Sequence, residues 1–235
     1  MPNGAWKFNG APRGSPGAAT VREAVRLRHQ HSIARKIAGA YRGLSYVVHY
    51  VRWRFRFADF GWRSRLEAPD LLTHPEHIRI GNHVHIRKGA RLEAITSTDV
   101  CEVPKIEIGD GTSVHLYSHI GAVSRVQIGR DVLIAGHVYI TDHDHALPEP
   151  RLSTTRNAVL IAAPTCIDDH CWLGEGCMIL KGVHLGQGCV VGANAVVTKS
   201  FPPYSAVVGI PARLVSRYDQ ARKEWVAVGT EQMHE

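Results

Sequence analysis

From Ile80 onward an aliphatic residue returns every six positions, and that period decides what the chain can fold into. Ile80, Ile86 and Leu92 form one run, and Ile108, Val114, Ile120 and Val126 a second. Ile128, Ile134 and Ile140 form a third; Ile167, Leu173, Ile179, Leu185, Val191 and Val197 form the longest. With roughly 40% of positions loosely hydrophobic, six in phase arise by chance in well under about one case in a hundred. A helix repeats every 3.6 residues and a half-buried strand every two, so neither requires six. A stack of short straight segments joined by repeated corners does. If three hexads make a coil, residues such as Cys171 and Cys189, or Gly174 and Gly192, stack in successive coils about 4.8 Å apart.

The cysteines fit the same frame. There are five, with no C-x-x-C spacing, and Cys171, Cys177 and Cys189 each stand four residues after a hexad's aliphatic, where Val183 and Ala195 also stand. That is one small-residue position repeated, so packing is expected of them, and reduced thiols rather than a disulfide frame. Phase breaks mark where the regular pattern gives way. The register slips by two residues between Val126 and Ile128, and after Ile140 it yields to residues 141–163, rich in Pro, Asp, Glu and His. An excursion of this kind from a regular solenoid is a candidate functional loop.

The N-terminal part has a different character. The chain carries a net charge of +7, but residues 1–65 hold 13 Lys and Arg against Glu23 and Asp59, a balance of +11. The remaining residues hold 15 against 19, a balance of −4. Residues 1–20, with four glycines and three prolines, are expected to stay disordered alone. Residues 21–66 form a basic, largely helical segment, although Val51, Trp53, Phe55 and Phe57 alternate with three arginines in the manner of a strand. No run reaches the roughly 18 residues of a membrane-spanning helix, and the N-terminus lacks the apolar stretch of a signal peptide. The expectation is a cytoplasmic protein. The basic segment either caps the solenoid's open end or touches the inner face of an anionic membrane, and the two are compatible.

Three stretches carry a family resemblance. They are Val132-Leu-Ile-Ala-Gly-His-Val-Tyr-Ile-Thr-Asp-His-Asp-His145, Ile167-Asp-Asp-His-Cys-Trp-Leu-Gly-Glu-Gly176, and Val191-Gly-Ala-Asn-Ala-Val-Val-Thr-Lys199 followed by Val208-Gly-Ile-Pro-Ala-Arg213. In order and spacing they resemble the hexapeptide-repeat acyltransferases, in particular the sugar O-acetyltransferase branch with the maltose and galactoside enzymes and polysaccharide-modifying relatives. The resemblance spans about residues 78–215. It implies a mainly β fold, a left-handed parallel β-helix over residues 67–215 with a C-terminal tail at 216–235, and a homotrimer with sites between neighbours. It departs in the 93–107 region, where the family's acceptor-binding segment is not recognisable, and at Asp168, which stands where many hexads have Gly.

The implied reaction is direct acetyl transfer from acetyl-CoA to a sugar hydroxyl, for example of a cell-surface polysaccharide or its precursor. An alcohol is a poor nucleophile near neutrality, so it needs a base, and histidine titrates in the right range. The resemblance assigns that role to His145 and makes the backbone N–H of Glu175 the oxyanion donor. His143, two residues away, would point the same way on an extended segment, so spacing alone does not choose between them. By the same resemblance Gly174, Ala193, Thr198, Lys199 and Arg213 contact acetyl-CoA, and Asp142, His143 and Trp172 line the acceptor side. Asp142 could instead orient an imidazole.

Rival readings have less behind them. The γ-class carbonic anhydrases, with the same solenoid, resemble a His followed five residues later by another; here His115 and His119 are four apart, and there is no H-E-x-x-H, so no metal is expected. The basic charge has no recognised nucleic-acid fold beside it, so no nucleic-acid partner is expected. N-acetylation of an amino sugar or antibiotic uses the same donor and base, and a non-catalytic scaffold would need neither the 142–145 loop nor the 172–174 corner.

Overall fold

The computed structural model describes residues 47–48, 50–96, 105–147 and 159–228. These fall in one compact unit, Tyr46–Glu235, whose described residues are mainly β. The expectations for residues 1–20 and for the N-terminal part of the basic segment, and for Cys101, lie outside the described residues.

The six-residue period becomes three sheets that the chain visits in rotation. The first circuit lays down β1 (Asp59–Phe60), β2 (Arg65–Leu66) and β3 (Leu71–Thr73), and the second β4 (Ile78–Ile80), β5 (His85–Ile86) and β6 (Arg91–Ala94). The third has β7 (Ile106–Ile108), β8 (Ser113–Val114) and β9 (His119–Ala122); the fourth has β10 (Val126–Ile128), β11 (Leu133–Ile134) and β12 (Tyr139–Thr141). A hairpin, β13 (His143–His145) with β14 (Leu160–Ala162), then leaves the pattern. The fifth circuit is β15 (Thr165–Ile167), β16 (Trp172–Leu173) and β17 (Met178–Ile179), and the sixth β18 (His184–Leu185), β19 (Val190–Val191) and β20 (Val196–Val197). Each circuit adds one parallel strand to each sheet. Last come β21 (Ser205–Gly209), β22 (Ala212–Asp219) and β23 (Glu224–Ala227), which extend the second sheet.

Each straight segment points one hexad aliphatic inward, joined in the longer strands by a second buried side chain. Ile86, Leu92, Val114, Ile120, Ile134, Ile140, Ile167, Leu173, Ile179, Leu185 and Val197 are fully buried, within a single hydrophobic core. The predicted 18-residue stacking holds between the last two circuits, where Leu173 opposes Val191 and Ile179 opposes Val197. Between other circuits the step is longer, as with Phe60 against Ile80, Ile108 against Ile128 and Ile128 against Ile167. The two-residue slip has a simple cause. First-sheet strands are three residues long in circuits two to five, so Val126 and Ile128 both point inward from one strand, with Gln127 outward.

The small-residue position is buried at Cys171, Cys177 and Cys189, as expected, and also at Ser64, Thr112, Ser118 and Ser205. Polar members of this set tie circuits together. Thr112 Oγ1 donates to Gly129 O (2.8 Å) and accepts from Val132 N (3.1 Å), and Ser64 Oγ does the same between Gly81 O and Val84 N. Cys171 Sγ points at Gly186 O (3.3 Å). Burial pushes the Cys177 thiol up to about 12, so it is an inert packing group.

Three boundaries differ from the sequence reading. The alternating stretch at 51–57 is not a strand: residues 50–54 are helical, and Trp53 and Phe57, four apart, are both buried while Phe55 is 88% exposed. Helical spacing thus decides which aromatics cap the core. The first circuit begins at Asp59, ahead of the expected boundary at 67, with Phe60, Leu66 and Leu72 as its hexad. Within the expected tail at 216–235, β22 runs on to Asp219 and pairs with β23, against which Tyr218 packs its ring on Trp225.

Candidate active site

The hairpin that interrupts the circuits is anchored at its base by one carboxylate. Asp142 is fully buried, and its oxygens accept backbone N–H bonds from Val123 (2.9 Å), Ser124 (2.6 Å) and Arg125 (2.6 Å). Those three residues form the corner between β9 and β10, so the carboxylate closes that turn. The buried Lys105 serves the same corner from the other side, with Nζ donating to Val123 O (2.6 Å) and Ile95 O (3.0 Å). Expected as a substrate contact, Asp142 is instead enclosed, and it matches the other reading, a group that orients an imidazole.

That imidazole is His143. Its Nδ1 lies 3.0 Å from Asp142 Oδ1 and 3.0 Å from Thr141 Oγ1. With Nδ1–H donating to the carboxylate, Nε2 carries the lone pair. The ring is half-buried, over Gly121, where a Cβ would come 3.5 Å from His143 Cε1 and 3.4 Å from His119 Nε2. His145 lies on the same side of the extended strand but is exposed, and its ring makes no hydrogen bond among the described residues. Asp144, between them, faces the other way and pairs with Lys181 (3.3 Å).

His119 stands beside His143 and was not singled out by sequence. Burial holds its pKa below the ordinary histidine value, with the Arg91 and His143 charges acting in the same direction and Glu93 opposing. Its Nε2 is 3.2 Å from Glu93 Oε1 without the alignment of a hydrogen bond, and its ring meets Tyr139 edge-on. His119, Glu93 and Tyr139 belong to neighbouring strands of the third sheet, so only the register brings them together.

The predicted oxyanion donor sits at another corner. At several corners, the N–H after the first corner residue is taken by a side chain of the next circuit. Trp62 N donates to Asn82 Oδ1, Asn82 N to Asp110 Oδ1, Arg130 N to Asp169 Oδ1 and Gly136 N to Glu175 Oε2. For Glu175 N the equivalent position one circuit on is Ala193, which has no acceptor. No partner for this N–H occurs among the described residues. Gly174 is buried, donates to Val191 O and would place a Cβ 2.7 Å from Ala193 N, so it is a packing glycine; Ala193 is exposed.

Within one chain these groups fall at two different corners. Asp142, His143 and His145 follow the third sheet, as do Thr198 and Lys199, whereas Gly174, Glu175 and Ala193 precede it. Glu175 and the far end of its third-sheet strand, Ile179, are four residues apart, at most roughly 13 Å of extended chain. Trp172 faces outward from the second sheet, 52% exposed, and Arg213 lies on β22 with Nη1 near Ala212 O. A cavity of about 210 Å³ lined by Arg63, Arg65, His83, Val84 and His85 lies by the first two circuits and holds none of the predicted catalytic residues.

Residues 164–199, the fifth and sixth circuits, match the family described as hexapeptide repeat of succinyl-transferase. The chain is 36% identical over 167 residues to WbbJ of Escherichia coli (strain K12), named as a lipopolysaccharide biosynthesis O-acetyl transferase; this covers 68% of this chain and 82% of that protein. It is 29% identical over 188 residues to Rv3034c of Mycobacterium tuberculosis, named as an acetyltransferase, covering 72% of this chain and 57% of that one. Among solved structures, the hexapeptide-repeat acetyltransferase VCA0836 of Vibrio cholerae, in complex with acetyl coenzyme A, superposes with a TM-score of 0.51 at 26% identity, covering 73% of this chain and 76% of that one. The fold is also that of AntD from Bacillus cereus, an N-acyltransferase, at TM-score 0.57 and 20% identity over 72% of this chain and 87% of that one.

Proposed function

The chain belongs to the hexapeptide-repeat acetyltransferase family, and from that membership we propose that it moves an acetyl group from acetyl-CoA directly onto a hydroxyl of a sugar in a lipopolysaccharide-like glycan or its precursor. Support for the acceptor class comes from the relative named for lipopolysaccharide O-acetyl transfer. Support for the donor comes from the acetyl-CoA complex of the 26% identical relative.

The observation that carries the mechanism is the Asp142–His143 pair. The family resemblance assigns the base to His145, but His143 has the carboxylate on Nδ1 and an Nε2 free to accept, and His145 has no such support among the described residues. In the proposed step His143 Nε2 takes the hydroxyl proton while the oxygen attacks the thioester carbonyl. The Glu175 N–H donates to the oxyanion. Collapse breaks the C–S bond, and the thiolate leaves as CoA with the proton from His143. Because His143 and Glu175 lie at opposite ends of the third sheet, the site is assembled between neighbours of a cyclic trimer, His143 from one protomer and Glu175 from the next. The three-sheet rotation is then that of a left-handed parallel β-helix, with acetyl-CoA lying along the groove against Ala193, Thr198, Lys199 and Arg213.

Residues 21–66 are proposed as a basic segment that both caps the core and meets an anionic membrane surface. Trp53 and Phe57 support the cap, while Val48, Val51 and Phe55, exposed at helical spacing among Arg52, Arg54 and Arg56, support the contact. No helix among the described residues is long and apolar enough to cross a membrane.

The test is CoA release from acetyl-CoA with a panel of sugars, nucleotide sugars, amino sugars and lipid-linked oligosaccharides. His143→Ala is expected to lower turnover by about 10²–10⁴-fold and His145→Ala by less than about tenfold. The reverse order would return the role to His145, and turnover with amines alone would overturn the hydroxyl acceptor.

A further inference from the structure

One corner position breaks its own rule. The residue after the inward aliphatic of each first-sheet strand is Gly61, Gly81, Gly109, Gly129 and Gly186, but in the fifth circuit it is Asp168. At the five glycines a Cβ would come within 2.2–2.6 Å of an atom of the following circuit or segment. A side chain at this position therefore needs a reason. Asp168 aims its carboxylate across the outer face of the first sheet, where Cys166 and His184 are direct partners on the adjacent strands β15 and β18. Cys166 Sγ is 3.5 Å from Asp168 Oδ1, and His184 Nε2 is 3.0 Å from Asp168 Oδ2. The three ligand atoms lie within 4.8 Å of one another.

We propose that Cys166, Asp168 and His184 form a divalent-cation site of zinc type, outside the acetyl-transfer machinery, that clamps the fifth circuit to the sixth. The donor set is one thiolate, one carboxylate and one imidazole, which suits a borderline-soft ion and leaves a fourth, water-filled position. Tetrahedral bonds of about 2.0–2.3 Å place ligand atoms about 3.3–3.8 Å apart; the two separations to Asp168, 3.5 and 3.0 Å, are close to this, and the thiol and imidazole atoms lie within 4.8 Å of each other. Charge also balances, since thiolate and carboxylate together neutralise a dication. A thiol binds as the thiolate, so on binding the S–H bond breaks, the metal–sulfur bond forms, and the thiol proton goes to solvent.

Cobalt(II) is the probe, added to the tag-free, full-length protein. The expected result is one ion per chain, with a thiolate-to-cobalt charge-transfer band, tetrahedral visible bands, about one proton released per ion and a raised melting temperature. Zinc(II) displaces the cobalt. Cys166→Ser and His184→Ala abolish the charge-transfer band or weaken binding roughly a hundredfold. Asp168→Gly, which restores the residue of the other circuits, weakens it at least about tenfold while the metal-free protein melts as wild type does. Cys101→Ser retains the band. A wild-type protein with no charge-transfer band, or a band that survives Cys166→Ser or vanishes with Cys101→Ser, would overturn the site.

Discussion

An asparagine at position 142 would match the carboxylate in shape but set an NH2 against backbone N–H groups that need an acceptor. Asp142→Asn is therefore expected to cost about 1–3 kcal/mol of stability, read by denaturant unfolding. It would also lower turnover by roughly 10²-fold or more, since His143 loses the group that fixes its tautomer. His119 makes a separate prediction at this scale. Its proton affinity is depressed in the fold, so between that value and the ordinary value of about 6.5 the unfolded chain binds more protons than the folded one. Stability is thus fully present above about pH 6.5 and declines as pH falls below it. Melting curves across this range should show a smaller decline for His119→Gln; an equal decline would contradict the assignment. Much of this was not legible in the sequence. Residues 143 and 145 share a side of any extended segment, and what separates them is burial of Asp142 by residues 123–125. Among the fifteen histidines, His74, His83, His137 and His170 occupy left-handed corner positions, a conformation histidine tolerates better than most residues.

At the scale of corners and strands, the same substitution should give opposite outcomes at two glycines. Gly129→Ala sets a Cβ 2.5 Å from Asp169 Oδ1 and 2.6 Å from Asp169 N, and overpacking of this kind costs about 1–3 kcal/mol. Gly121→Ala meets only the two imidazoles at 3.4 and 3.5 Å, ordinary contact, so stability and turnover should both hold. Thermal melting and CoA release separate the two cases. The cap predicts a third outcome: Phe57→Ala, 5% exposed in the wild type, should cost about 3–5 kcal/mol. The hexads were readable because each circuit buries one aliphatic per side, and a six-residue period survives in sequence. Which aromatics would make the cap was not, because Val51, Trp53, Phe55 and Phe57 fit a period of two as well as Trp53 and Phe57 fit a helix. The first circuit escaped notice because its hexad opens with the aromatic Phe60, inside the arginine-rich stretch.

For the whole molecule, the described part of the arginine-rich segment adjoins the first circuit, with Trp53 and Phe57 in the common core, and the proposed acetyl-transfer groups all lie on the circuits. The proposed site is larger than one chain: His143 follows its third-sheet strand and Glu175 precedes the neighbouring one, so the proposal takes the two groups from different protomers. Ala193→Asn would supply the acceptor that other corners have, occupy that N–H and lower turnover by about 10²–10³-fold with the fold intact. The most direct measurement mixes the two impaired variants, His143→Ala and Ala193→Asn, by co-refolding at equal amounts and following CoA release. In randomly assorted cyclic trimers about one interface in four combines an intact histidine with an intact N–H, so about a quarter of wild-type turnover should return. A mixture no more active than its separate components would contradict a site built from His143 of one protomer and Glu175 of the next.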